Sequence, residues 1–447
     1  MAEAVLDEWR LSSKANDFHH DFNNFALCLI EEKVRPIRPV LSGRIRRTVL
    51  STPDSKHNTI NWLPMRAYVN LARQEWTGEV KYRVAATRAL DIVAAATNED
   101  GGIEDRLPHG SSYNLQYNVS SHAALDLLKR RWPEAGLELD LVRSRAYLLE
   151  HVLPDGDINY VGRGVNQIFA WGPWLYSLAA SGEGEALGKA LEFLVDRYAE
   201  AAECKNVLMN GATGHERLFW WDYHHCSVYH AHFLLWSTLA LQALDLRSEK
   251  APRAPRTSEA TGLKLKHYSL GGAALFAGRS TYLAEAGPGI CAVWLSNKGM
   301  LFKGGLGPWV GPFGRKHSYA DTVFQNHFGL IAQSTPLPSP VLDGRIARLL
   351  MPNIPRDRAA RICPEFAAVE ISEIDGALCF TWDTVGHEGY CNIPITADLV
   401  DAVEVEFRVD GERLENRKIG TFINQYGWHT LVRSRPVQGH RWQVLLR

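Results

Sequence analysis

Hydrophobic periodicity changes once along this chain, and that change constrains the fold more than any single motif. Up to Leu246 apolar residues recur at helical spacing; after residue 262 they alternate. Leu187, Leu191, Leu194, Val195, Tyr198 and Ala202 follow the rule of one buried helix face. Helices are likewise predicted from Val80 to Ala96, Tyr113 to Leu128, Leu141 to Val152 and Cys226 to Leu246. The last is apolar nearly all round, which predicts burial on most sides. Further on, Ala292-Val293-Trp294-Leu295 and Met300-Leu301-Phe302 flank Asn297-Lys298-Gly299 as a hairpin. Asp375-Gly376 and Asp410-Gly411 mark further hairpin turns, and Arg441 to Leu445 reads as a closing strand. Helices first and strands afterwards predict an α+β protein with segregated domains. The helical domain covers 1–247, a polar proline-bearing linker 248–262, and an antiparallel β-sandwich 263–447.

A repeat underlies the helical half. Asp100-Gly101, Asp155-Gly156 and Asn210-Gly211 recur at intervals of 55 residues, and aromatic, polar-rich helices begin near Tyr113, Val165 and Cys226 behind them. Two helices plus loops per period is the signature of stacked helical hairpins. Gly43 through Leu63 reads as an earlier, degraded copy. Hairpins of this kind close into an incomplete (α/α) toroid, with the turn-bearing loops at one mouth.

Charge and composition narrow the function. Lys plus Arg total 49 against 50 Asp plus Glu, so there is no basic field of the sort a phosphate-neutralising nucleic-acid binder needs. The longest apolar run, 231–244, is 14 residues and too short to span a bilayer. Seven cysteines form no CxxC pair, which suits buried thiols in a reducing compartment. With no secretory pattern at the start, a cytoplasmic address is the expectation. The aromatic residues, 14 Trp, 15 Tyr and 16 Phe, offer faces for stacking on sugar rings as well as core material.

Four polar-aromatic clusters stand out, three of them next to the repeated turns. They are His109 to Asn118 with His122; Asn159 to Gln167 followed by Trp171 and Trp174; Glu216 to His232; and His57 to Trp62. Clusters at equivalent positions of a repeat converge, which favours a shared site over separate caps. His224, His225, His230 and His232 show neither HExxH nor Cys/His pair spacing, so no metal or other cofactor is expected. Hydrolysis of a glycosidic bond needs two carboxyl groups, which Asp100, Glu104, Asp105, Asp155, Asp157, Glu216 and Asp222 could furnish. Abstraction of the proton beside a uronate carboxylate needs instead a group that neutralises the carboxylate, a Tyr or His base, and a Tyr that protonates the leaving oxygen. The clusters contain that set.

At this point the layout resembles the toroid-type polysaccharide lyases, including the heparinase II/III-like and oligo-alginate lyases. The segment His57 to Trp62 is similar to their Asn-bearing segment, and Asp100-Gly101 with Ser111-Ser112-Tyr113 to their tyrosine segment. The resemblance implies Asn58 against the carboxylate and a histidine from the β-domain, for which His327 is the candidate. The expected catalytic set is therefore Tyr113 as proton donor, His230 or His327 as base, and Asn58. Arg163 and Gln167 are expected to orient substrate, Arg163 through its planar fork. Asn114, Tyr117, Trp171, Trp221, Tyr223 and His224 complete the expected substrate-binding set. The leading expectation is a lyase that cleaves a uronic-acid-containing glycan by β-elimination. The alternatives are a toroidal glycoside hydrolase and a non-catalytic glycan-binding protein.

Overall fold

The computed structural model describes residues 20–199 apart from 104, 108–109, 113–114, 136–139, 154 and 160–166, then 227–245, strand segments between 264 and 332, and 370–447 apart from 425–426. The expected linker and Asn210-Gly211 lie outside the described residues. The first part is helical: α1 (His20–Val34), α2 (Pro39–Ser51), α3 (Leu63–Thr77), α4 (Val80–Ala95), α5 (Leu115–Arg131), α6 (Leu141–Glu150), α7 (Trp171–Ser181), α8 (Gly184–Tyr198) and α9 (Ser227–Asp245). Their ends follow local chemistry. Pro39 and Pro64 sit in the first turns of α2 and α3, where a missing N–H costs nothing. Asp140 caps α6 by accepting from Arg143 N, and α3 ends at Gly78 in the left-handed region (φ 74°).

The odd-numbered helices form an inner ring. α1 packs on α3, α3 on α5, α5 on α7 and α7 on α9. The ring closes where Phe25 of α1 stacks on Trp236 of α9 at 5.8 Å and Phe22 meets His232 edge-on at 5.9 Å. The even-numbered helices return along its outside, α2 against α1, α4 against α3, α6 against α5 and α8 against α7. Trp171, Trp174, Trp236 and Tyr68 are wholly enclosed between the layers. α7 and α9 cross so closely that a Cβ on Gly172 would lie 2.8 Å from Phe233 O.

Two of the repeated turns are described, and they share one construction. Gly101 N donates to Asn98 O, and 55 residues on Gly156 N donates to Leu153 O. Asn98 N donates to Gly102 O just as Leu153 N donates to Asp157 O, and Ile103 and Ile158 both follow as buried plugs. Gly101 (φ 92°) and Gly156 (φ 93°) are left-handed, and each presses its backbone on the next outer helix.

Three sequence expectations need correction. A short hairpin, β1 (Asp105–Leu107) and β2 (Gly110–Ser112), precedes α5, which starts at Leu115. Leu191 and Val195 are exposed, because α8 turns Ala190, Phe193, Leu194 and Tyr198 inward instead. α9 is not buried on most sides: Leu234, Leu241 and Leu244 are exposed along one stripe. It is the last inner helix, and among the described residues no outer helix follows to cover it.

The second part is antiparallel. One sheet orders β3 (Lys264–His267), β4 (Ala274–Arg279), β5 (Pro288–Leu295) and β6 (Gly299–Phe302). The other centres on β10 (Ala377–Thr396), which pairs with β7 (Trp309–Pro312), β9 (Glu370–Ile374), β14 (Gly427–Ser434) and β15 (Val437–Leu446). It extends through β11 (Val405–Val409) and β12 (Glu412–Leu414) on one side, and β13 (Asn416–Asn424) and β8 (Ile331–Ala332) on the other. Val293, Leu295 and Leu301 of the smaller sheet share a core with Phe380, Ile393, Phe407 and Trp442 of the larger. The turns at Asp375-Gly376 (φ 49° and 74°) and Asp410-Gly411 (φ 50° and 89°) are the mirror-image kind that matches strand twist. The chain is thus α+β. The closing strand expected at Arg441 to Leu445 lies inside the larger sheet, between β10 and β11.

Candidate functional site

The inner helices run the same way round the ring, so their N-terminal ends gather at one mouth. Aromatic contacts establish this. Phe22 at the start of α1 meets Trp62, in the 3-10 turn before α3, at 5.5 Å. Phe22 also meets Phe169, in the 3-10 turn before α7, at 6.1 Å. Phe169 in turn stacks on His232 of α9 at 4.2 Å and lies 5.0 Å from Tyr229. α5 packs on both 3-10 turns, and its Asn118 holds the first repeat loop by exchanging hydrogen bonds with Ile103 N and O.

Each inner helix, or the turn that precedes it, brings a buried, unsatisfied polar group to this end. Among the described residues, both amide atoms of Asn24, Asn61 Oδ1, Gln116 Oε1, Gln167 Nε2 and His232 Nε2 have no hydrogen-bond partner. Asn24 belongs to α1, Asn61 and Gln167 to the turns before α3 and α7, Gln116 to the start of α5, and His232 to α9. All are less than a tenth exposed. An orphaned buried polar group costs about 1–3 kcal/mol, so water or a polar ligand is expected to satisfy these five. Burial pushes the His232 imidazole down to about 3, so it is neutral at physiological pH, as the amides are. The arrangement is uncharged, offers both donors and acceptors, and is set among aromatic rings. That is the chemistry of a hydroxyl-rich ligand.

The rim between α2 and α3 is different. Arg66 of α3 donates to Asp21 Oδ2 through Nε (3.1 Å) and Nη2 (2.9 Å), to Asn58 Oδ1 through Nη1 (2.8 Å), and to His57 O. Asp21 also accepts from Ser55 N at 3.2 Å. Burial holds the Asp21 carboxyl above its ordinary value, although Arg66 pulls the other way. Among the described residues no three His, Cys, Asp or Glu gather in a way that could hold a metal ion.

Of the residues singled out from sequence, Tyr113, Asn114, Arg163, Trp221, Tyr223, His224 and His327 lie outside the described residues. The other five divide. Asn58 is exposed on the rim loop, and Tyr117 and His230 are half-buried in the first turns of α5 and α9. Gln167 is buried, with its carbonyl accepting from Asn159 Nδ2 at 2.9 Å. These four belong to the mouth end. Trp171 lies fully enclosed instead, stacked on Phe193 at 5.1 Å and donating to Tyr198 Oη at 3.0 Å, and its ring offers no face to a ligand. Asn24, Asn61, Gln116, His232, Asp21 and Arg66 were not among the expected site residues. Asn61, Gln116 and His232 fall inside the sequence clusters, so a signal existed for them. Asn24 had only its place among apolar residues on the inward face of α1.

No known family matches this sequence, and no curated protein is similar to it. Several solved structures are similar in part, three of which follow. A family 88 glycosyl hydrolase from Bacteroides vulgatus is 14% identical over 49% of this chain and 73% of that one, with a TM-score of 0.34. The Lin0763 protein from Listeria innocua is 13% identical over 51% and 87%, with a TM-score of 0.30. A GH127 β-arabinofuranosidase is 10% identical over 99% and 75%, with a TM-score of 0.24. These likenesses are slight.

Proposed function

We propose that this chain is a carbohydrate-active enzyme that takes an oligosaccharide into the mouth of the helical ring and cleaves a glycosidic bond there. The observation that carries the reading is the ring of neutral, unsatisfied amides and imidazole among aromatic faces. Sugar hydroxyls are donors and acceptors at once, so they satisfy such groups without bringing charge into a buried site.

Two routes of cleavage fit this end of the ring. Hydrolysis draws on two acids, and Asp100 and Asp155 occupy equivalent positions of the two described loops, with Asp157 buried beside Asp155. Elimination draws on Asn58 against a uronate carboxylate, Tyr113 as proton donor and His230 or His327 as base. The equivalence of Asp100 and Asp155 favours hydrolysis, and we place it first. Products decide between them. Incubation with a panel of neutral and uronate-bearing oligosaccharides should release reducing ends with no new near-ultraviolet absorbance if hydrolysis is the route. An unsaturated uronyl product absorbing there establishes elimination instead. Binding without any product on the whole panel would leave a glycan-binding protein and end the enzyme reading.

A further inference from the structure

The helical ring is built from inner and outer pairs, and one pair is incomplete. α2, α4, α6 and α8 each lie outside an inner helix, whereas α9 has no outer companion among the described residues. The groove left open runs between α9 and α1. Phe22 meets His232 and Phe25 stacks on Trp236, so the two helices rise in step. Ile30, five residues past Phe25, is therefore level with Leu241, five past Trp236, and the two are 41% and 64% exposed. The exposed positions Ala231, Leu234, Thr238 and Leu241 of α9 are spaced three, four and three, which is the seam spacing of a helix that packs on another helix. No charged residue occurs from Ser227 to Leu244, so the floor of the groove is neutral.

α8 carries the matching surface. Gly184, Gly188, Leu191 and Val195 recur at four, three and four residues, and Leu191 and Val195 are 46% and 58% exposed. Glycine inside a helix is destabilising relative to alanine, yet among the described residues nothing comes within 4 Å of a Cβ at Gly184 or Gly188. Outer helices run against inner ones, so an α8 laid in the groove sets its glycine end beside Leu241 and its Val195 end beside Ala231. Large side chains then meet small ones at both ends. Charge agrees. From Lys33 to Ser51, along the bank of the groove beyond α1, there are six basic residues and no acidic one, and two of the six bond Glu31. On α8, Glu192 and Asp196 are exposed beside Leu191 and Val195, and Lys189 is taken by Glu185 at 3.1 Å.

We propose that this chain forms a two-fold dimer in which α8 of each copy enters the α1–α9 groove of the other as its missing outer helix. A two-fold axis parallel to the helices makes this contact twice. It also keeps α8 antiparallel to α9, as outer and inner helices are within one chain.

Light scattering and sedimentation velocity of the full chain decide it. The parent should be a dimer at micromolar concentration. Val195→Lys on α8 and Leu234→Glu on α9 should each weaken the dimer about tenfold or more, since each sets a charge against an apolar surface. Leu241→Glu, the second substitution in the groove, should act as Leu234→Glu does. Helical circular dichroism should not change, because these positions are exposed in the single chain. Mixed one to one, Val195→Lys and Leu234→Glu should associate again. One groove then joins two unaltered surfaces, and the other brings opposite charges together. A monomeric parent overturns the proposal, and a lowered melting temperature in Leu234→Glu would then mark a segment of the same chain as the occupant. A dimer that survives Val195→Lys, or variants that stay apart when mixed, also overturns it, because α8 is then not what fills the groove.

Discussion

Asn24 is fully enclosed in α1 with neither amide atom bonded among the described residues, which is a poor choice for stability alone. An apolar side chain of similar volume removes the desolvation cost. Asn24→Leu should therefore raise the melting temperature while weakening glycan binding, the pattern expected where a site is kept at the expense of stability. If both fall together, Asn24 is a packing residue. Two buried histidines set a pH dependence. Burial pushes His122 down to about 4 and His232 down to about 3, so both stay neutral in the fold while the unfolded chain protonates near pH 6.5. The unfolded state then binds more protons, and stability falls as pH drops below about 6.5, reaching its full loss only below the folded values. Between pH 7 and pH 5 each histidine should cost about 2 kcal/mol. Denaturant unfolding at the two pH values measures the loss, and His232→Phe, which keeps the stack on Phe169, should shrink it.

At the scale of elements, the repeated turns carry the sharpest expectation. A Cβ on Gly101 would lie 2.7 Å from Ser144 N, and one on Gly156 would lie 2.9 Å from Lys189 O, both at positive φ. Gly101→Ala and Gly156→Ala should each cost on the order of 2–4 kcal/mol, combining left-handed strain with overpacking. Gly78 is the control, since it is also left-handed but has open space around its Cβ position. Gly78→Ala should cost about 1 kcal/mol. Equal losses at all three would remove the close turn-to-helix contact as the reason for these glycines. The turns were legible because Asp-Gly dipeptides act locally, and their spacing of 55 residues is visible without any fold. The inward faces of α8 and α9 were not. Leu191 and Val195 satisfy the helical rule as well as Ala190 and Leu194 do, and only the position of the neighbouring helices decides which stripe is covered.

At the scale of the molecule, the division into a helical part and an antiparallel part raises the question of independence. All five unsatisfied groups of the mouth belong to residues before 247. A fragment spanning 1–247 should keep its helical circular dichroism and its glycan binding. If it cleaves an oligosaccharide at the rate of the whole chain, His327 is not the base. A fragment that does not fold would place the boundary elsewhere. Among the described residues no helix is long and apolar enough to cross a membrane.

Taken alone, the sequence determined the order of helices and strands, the hairpin turns and the two described Asp-Gly turns of the repeat, because each depends on residues within a few positions of one another. It also placed polar-aromatic clusters next to the turns, which hold Tyr117, Gln167 and His230, and an earlier one that holds Asn58; these four lie at the mouth end. Only the tertiary structure decided that Trp171 is core, that Asn24 is an orphan, and that Arg66 bonds both Asp21 and Asn58. Those properties arise between elements far apart in the chain. Asp21 and Arg66 stand 45 residues apart, and the ring closes from Phe25 to Trp236, so burial and hydrogen-bond direction there are set by packing that no local pattern encodes.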